Sequence, residues 1–256
     1  MIILAIVLFT ALAVWGTFFV KGAKSYIIGG LAIILVALSM LGLIVHDNNH
    51  WGMKKVTETT SKTIPVQMVM AIKIGDNTGN YVFNYKTNEN DKKPSQHFMP
   101  DQKNITESIK KTATYKETSD KTSEVMTVTT RWEWANNFAK ILFGVGGEGG
   151  ELYKQTNTVR VPKGTVIVLT QAQAKKLAAN QEQMQKQAKA EQESQVKEAI
   201  AKAQAQLPAG APEAMKEEIA QKVQAEVEAK TKALMSDPVA YSQIQVKATK
   251  SFLGIN

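Results

Sequence analysis

The chain has 256 residues, 44% of them hydrophobic, with a formal net charge of +8 and no cysteine. The missing cysteines exclude a disulfide framework, a thiolate nucleophile and a thiolate metal site. The basic excess favours anionic neighbours such as lipid headgroups or anionic wall polymers. No basic run interleaved with aromatics and no recognition motif occurs, so nucleic acid is not an expected partner.

The first 45 residues carry only two charged side chains, Lys21 and Lys24. Residues 2–20 and 26–45 are two uncharged runs of about the ~20 residues a bilayer core requires. Each must satisfy its own backbone as a helix, and the short segment from Lys21 to Ser25 closes them into a hairpin. Residues 1–46 therefore read as a two-helix transmembrane hairpin. A cleaved signal peptide fits less well, because no basic segment precedes the first run and the second follows at once. Trp15 and Tyr26, near the hairpin turn, and Trp51, beyond the second run, read as interfacial anchors. The loop lysines favour a cytoplasmic turn with both termini outside the cell membrane. Lys54, Lys55 and Lys62 pull the other way. The expected topology is N-out and C-out.

Residues 47–56 form a juxtamembrane linker. His46 and His50 stand four apart, a spacing that can place two imidazoles on one helical face as metal ligands. Asn48 and Asn49 favour a turn over helix continuation, and no third ligand is in view. A polar exit from the bilayer accounts for the same residues, so no metal or cofactor is expected.

From here the chain resembles a known family. The residues that carry the resemblance are His50-Trp51-Gly52-Met53-Lys54-Lys55-Val56-Thr57 after two short spans, Arg131-Trp-Glu-Trp134, Leu142-Phe-Gly-Val-Gly-Gly147, and Thr156-Asn-Thr158 through Val161-Pro162. They are similar to uncharacterised two-span membrane proteins of lactic-acid bacteria, grouped as a domain of unknown function. The resemblance covers roughly residues 1–180. It implies a Gram-positive envelope setting and carries over no activity and no catalytic residue.

Across residues 57–170 the hydrophobic period changes to two. Ile64, Val66, Met68, Met70 and Ile72 alternate with Pro65, Gln67, Val69 and Ala71, and Tyr81, Phe83 and Tyr85 alternate again. Met126, Val128, Thr130, Trp132 and Trp134 share one strand face, and Val159, Val161 and Val166 to Leu169 complete the set. These short runs, broken by Gly, Asn, Asp and Pro, predict an all-β extramembrane domain, an antiparallel sandwich or barrel. Thr87 to Asn104 reads as a long exposed loop.

Three features here invite chemistry. Gly144-Val-Gly146-Gly-Glu-Gly149 matches the dinucleotide glycine pattern in form. That function needs a preceding parallel strand and a following helix, whereas strand-like residues follow, so a flexible hairpin loop is expected. Trp132 and Trp134 either line a core or stack on a glycan or partner. Glu124 and Glu133 suggest a glycosidase pair in residue type alone; nothing in the sequence sets two carboxylates across a cleft, and isolated Glu on strands reads as solvated surface.

Residues 171–256 form a helical tail rich in Gln, Ala, Lys and Glu, with a turn at 207–212. Fully helical, 171–207 would reach about 55 Å. Val196, Ile200, Ala203 and Leu207, with Met215, Ile219, Val223 and Val227, offer two seams for an antiparallel hairpin of the coiled-coil kind. Asp237-Pro238 starts a last helix, whose Phe252 to Ile255 either dock on the β domain or stay frayed.

The sequence thus predicts a membrane-anchored envelope protein with a binding or structural role. Its partners would be the bilayer and either another membrane protein or an anionic wall polymer. A cytoplasm-facing scaffold and an envelope glycan-acting enzyme are the alternatives, and no catalytic constellation supports the enzyme.

Overall fold

The structure, a computed structural model, describes residues 1–75, 78–208 and 212–255. In chain order it opens with helices α1 (Ile2–Phe18) and α2 (Ala23–Asn49). Strands β1 (Met53–Ile64), β2 (Val69–Lys73), β3 (Tyr81–Tyr85) and β4 (Ser95–His97) follow, then helix α3 (Ile105–Ser108). Strands β5 (Lys111–Thr118) and β6 (Ser123–Trp134) lead to helix α4 (Asn137–Phe143), and β7 (Glu151–Pro162) and β8 (Val166–Leu169) complete the strands. Helices α5 (Gln171–Ala179), α6 (Gln181–Ala205), α7 (Glu213–Met235) and α8 (Pro238–Leu253) form the tail.

The chain divides into two compact units, Met1–Thr59 with Val128–Gln155, and Thr60–Thr127 with Thr156–Asn256. Strands β1, β6 and β7 contribute residues to both.

In the first unit α1 and α2 pair closely because two glycines meet. A Cβ on Gly16 would lie 2.8 Å from Ile28 Cγ2, and one on Gly29 would lie 2.7 Å from Thr17 Oγ1. Small residues allow such an approach between apolar helices. Ser25 Oγ donates to the Gly16 carbonyl at 2.8 Å, pinning the turn, where Gly22 takes φ +75°. Among the described residues, α2 alone is long and apolar enough to cross a membrane. Its partner α1 is apolar but, at 17 residues, shorter. The predicted turn at Asn48 and Asn49 does not occur there. Asn48 Nδ2 donates to the Ile44 carbonyl at 2.9 Å, so the helix runs to Asn49 and stops at His50, at φ +53°.

The strands form two four-stranded sheets, ordered β1-β6-β7-β5 and β4-β3-β2-β8. Neither closes into a barrel. The second sheet is mixed rather than antiparallel: β2 pairs antiparallel with β3 (Ala71 opposite Phe83) but parallel with β8 (Val69 opposite Val166). The expected alternation from Ile64 to Ile72 is not one strand, because β1 ends at Ile64 and β2 begins at Val69.

The second unit buries two apolar clusters. Ile64, Val125, Val159 and Val161 meet Val69, Ala71, Phe83 and Val166 in the first. Ile167, Leu169 and Val246 form the second, with Met68, Met70, Leu177, Leu253 and Ile255 packed around it. Alternate residues of β2 and β8 thus point into different cores. A strand buried on both faces reads as a continuous apolar run, as Val166-Ile-Val-Leu169 does. The end of α8 docks on that second core rather than fraying. Its start is held by Asp237, whose carboxylate accepts from Val239 N and Ala240 N, with Pro238 in the first turn.

The expected loop from Thr87 to Asn104 contains β4, which pairs with β3. His97 there is not an exposed loop histidine: its ring stacks on Tyr85 at 3.9 Å. The tail is not one continuous rod from 171 to 207. A capping box at Thr170 and Gln173 starts α5, and the chain breaks at Asn180, where φ −110° and ψ 16° leave the helical region. Beyond it α6 and α7 lie alongside, with Gln204 Nε2 donating to the Lys216 carbonyl at 3.1 Å and Val196 facing the same groove as Val227. Of the expected turn at 207–212, residues 209–211 lie outside the described residues.

Candidate functional site

The densest chemistry lies in the first unit, where α2 ends. His46, in the last turn of α2, is 3% exposed. Its Nδ1 lies 2.6 Å from the Trp51 carbonyl oxygen and its Nε2 lies 2.9 Å from Glu148 Oε2. A backbone carbonyl only accepts, so Nδ1 carries a proton. Both ring nitrogens are thus engaged, one by the Trp51 carbonyl and the other by the Glu148 carboxylate.

Rings enclose it. Phe143 stacks on His46 at 4.3 Å and Trp134 at 5.6 Å, both nearly parallel. Trp51 meets Phe143 edge-on at 5.6 Å. The left-handed turn at His50 carries its ring onto Trp132, 4.2 Å away and stacked. Tyr153 stands edge-on to Trp132 at 5.6 Å. Lys55 Nζ sits 3.5 Å from the Tyr153 ring centre and 4.9 Å from that of Trp132, a shared cation–π contact. Hydrogen bonding and positive charge from Lys55 lower the pKa of the Tyr153 phenol below its ordinary value.

The glycine run shapes this site instead of forming a flexible loop. Asn136 caps α4 through Oδ1, which accepts from Ala139 N at 2.8 Å. After α4, Gly144–Gly146 makes a 3-10 turn and Gly147 takes φ +74°, delivering Glu148 to His46. Gly149 is required for closeness: a Cβ there would lie 2.5 Å from Trp134 Nε1. Gly52, at φ +89°, lies against the inner face of α4, where a Cβ would come within 2.9 Å of Ala139 Cβ. Its carbonyl accepts from Ala135 N at 2.9 Å. The Met1 amino group donates to the carbonyls of Ile141 and Leu142, at 3.1 and 3.0 Å, which places the start of α1 beside the end of α4.

The structure therefore brings together His46, His50, Trp132 and Trp134, but not as a metal pair: one histidine is tied to Glu148 and the other is stacked on Trp132. Both tryptophans are half-buried. Of the expected anchors, Trp15, Tyr26 and Trp51 are each more than half exposed. Glu124 is not an isolated surface carboxylate. Arg160 Nη1 lies 2.8 Å from its Oε1, and Ser61 Oγ donates to its Oε2 at 2.6 Å. Sequence reasoning missed the role of Glu148 and the pairing of Lys55 with Tyr153. A signal was present for the first: an ionisable residue at the end of an apolar helix calls for a partner.

A family model described as Domain of unknown function (DUF4811) matches residues 21–177. No curated protein and no solved structure matches the chain.

Proposed function

The chain belongs to the DUF4811 family, and from that premise we propose that it is a membrane-anchored cell-envelope protein whose outer region has a binding or structural role. The observation that carries the reading is the surface of the N-terminal hairpin. Ile27, Leu31, Ile34, Leu38 and Leu41 of α2 stand more than half exposed, as do Leu4, Val7 and Leu8 of α1. So extensive an exposed apolar surface suits a lipid surrounding. Twenty residues of helix separate Tyr26 from His46, about 30 Å at 1.5 Å per residue, which is one hydrocarbon thickness. In this reading α1 crosses as well, shortened by its tilt or by local thinning of the bilayer.

A binding or structural role is supported by the site itself. His46 is satisfied by Glu148 and Trp51, and Lys55 by two rings. Charges that answer one another hold a shape. Lys21 and Lys24, at the turn, favour a cytoplasmic turn with the β-rich region outside. The opposite topology, a cytoplasm-facing scaffold, is favoured by Lys54, Lys55 and Lys62.

Protease shaving of intact cells, with the chain detected through an epitope at its C-terminus, tests the reading. Loss of the epitope is expected from intact cells. Protection until the membrane is opened would establish the inward topology instead. Recovery of the chain in the soluble fraction after lysis without detergent would remove the membrane anchor altogether.

A further inference from the structure

We propose that α4 is an interfacial helix, lying in the border of the bilayer with Phe138, Ile141 and Val145 among the lipid chains. The inference rests on the membrane-anchor reading above and adds a second contact with lipid. Phe138, Ile141 and Val145 are 72%, 63% and 69% exposed. They fall at i, i+3 and i+7, one stripe of a helix that continues into its 3-10 turn. The opposite face is already used: Ala139 and Phe143 are buried, against Gly52 and the His46 ring. The exposed stripe is thus not core left over from folding but a second apolar face on a seven-residue helix.

Two contacts decide what covers it. The Met1 amino group binds the carbonyls of Ile141 and Leu142, so the stripe lies beside the first turn of α1, where Ile3 and Leu4 are also more than half exposed. Phe143 stacks on His46, which ends the ~30 Å of α2 that begins at Tyr26. The stripe therefore continues the apolar surface of the hairpin at the depth where hydrocarbon meets headgroups. Trp51, edge-on to Phe143 and half exposed, is an aromatic of the type enriched at that depth. A lipid surface needs no shape complementarity from its partner, which suits three bulky side chains on a short helix.

The chain has no cysteine, so single-cysteine variants of the full-length protein report one position each. Ile141→Cys and, as a control on β7, Lys154→Cys would carry a polarity-sensitive fluorophore after reconstitution into phosphatidylcholine–phosphatidylglycerol vesicles. Nitroxides near the top of the acyl chains should quench the label at 141 several-fold more than the label at 154, with a blue-shifted emission at 141 only. Flotation of the same vesicles reads the anchor independently. Protein that floats with a label at 141 as water-exposed as that at 154 overturns the interfacial helix and leaves the anchor intact. Protein that does not float overturns both.

Discussion

His46 Nε2 and Glu148 Oε2 lie 2.9 Å apart although 102 residues separate them in the chain. The contact ties the last turn of an apolar helix to the glycine-rich turn after α4. Truncating Glu148 to Ala leaves a buried imidazole N–H or lone pair without a partner, at a cost of roughly 1–3 kcal/mol. Glu148→Gln keeps an acceptor and should cost less. Thermal unfolding in detergent micelles, followed by tryptophan fluorescence, measures both. Equal melting of the Ala variant and the parent would show that the pair contributes nothing.

The glycine contact between α1 and α2 makes a positional prediction. Gly29→Leu drives a side chain into Thr17 and should separate the helices, lowering the melting temperature by several degrees, equivalent to about 1–3 kcal/mol. Gly30→Ala, where a Cβ meets nothing within 4 Å, should leave it unchanged or slightly raised. Reversal of that order would mean the helices do not meet at Gly29.

Tyr85 gives a pH dependence with a defined sign. Burial pushes its phenol from 10.0 up to about 12. The unfolded chain releases that proton first, so the stabilisation from burying a neutral phenol is fully present below pH 10 and is lost as pH rises through about 12. Chemical denaturation between those limits should show stability falling with pH, and Tyr85→Phe should flatten the slope. An unchanged slope in Tyr85→Phe would assign it to other groups.

Lys55 and Tyr153 predict an opposite shift on the surface of the first unit. Lys55→Met removes the positive charge that lowers the phenol pKa, so Tyr153 should ionise at higher pH in the variant. Ultraviolet difference absorbance, referenced to Tyr153→Phe, resolves this one ring. Identical titrations before and after the substitution would contradict the cation–π geometry.

Leu169 is fully buried in the second core of the second unit, beneath Val246. Leu169→Ala should cost about 2–5 kcal/mol. Denaturant unfolding of the full chain in micelles gives the value, and a cost below 1 kcal/mol would mean α8 does not seal that face.

The helices at both ends were legible because their signals are local. An uncharged run, an Asp-Pro start and a stretch rich in Gln, Ala, Lys and Glu each specify helix within a few residues. The β-rich region was legible in its period but not in its pairing. Val166 to Leu169 announces a buried strand, yet nothing nearby indicates that it runs parallel to β2, because that partner is chosen by two cores on opposite faces. The site was hidden for a related reason. Trp132 and Trp134 were visible as a pair, whereas Glu148 acquires its role only once α4 and the glycine turn bend it back to His46. The helix α4 itself went unread, since Asn136 to Val145 is too short and too apolar on both faces to show a 3.6-residue stripe against a polar background.

The parallel pairing of Val69 with Val166 also fixes an order of events during synthesis. β2 leaves the ribosome long before β8 exists, and until then one of its edges has no neighbour. A nascent chain halted between β7 and β8 would carry an open strand edge, a feature that invites aggregation. The edge closes only when the residues through Leu169 are available to pair with it.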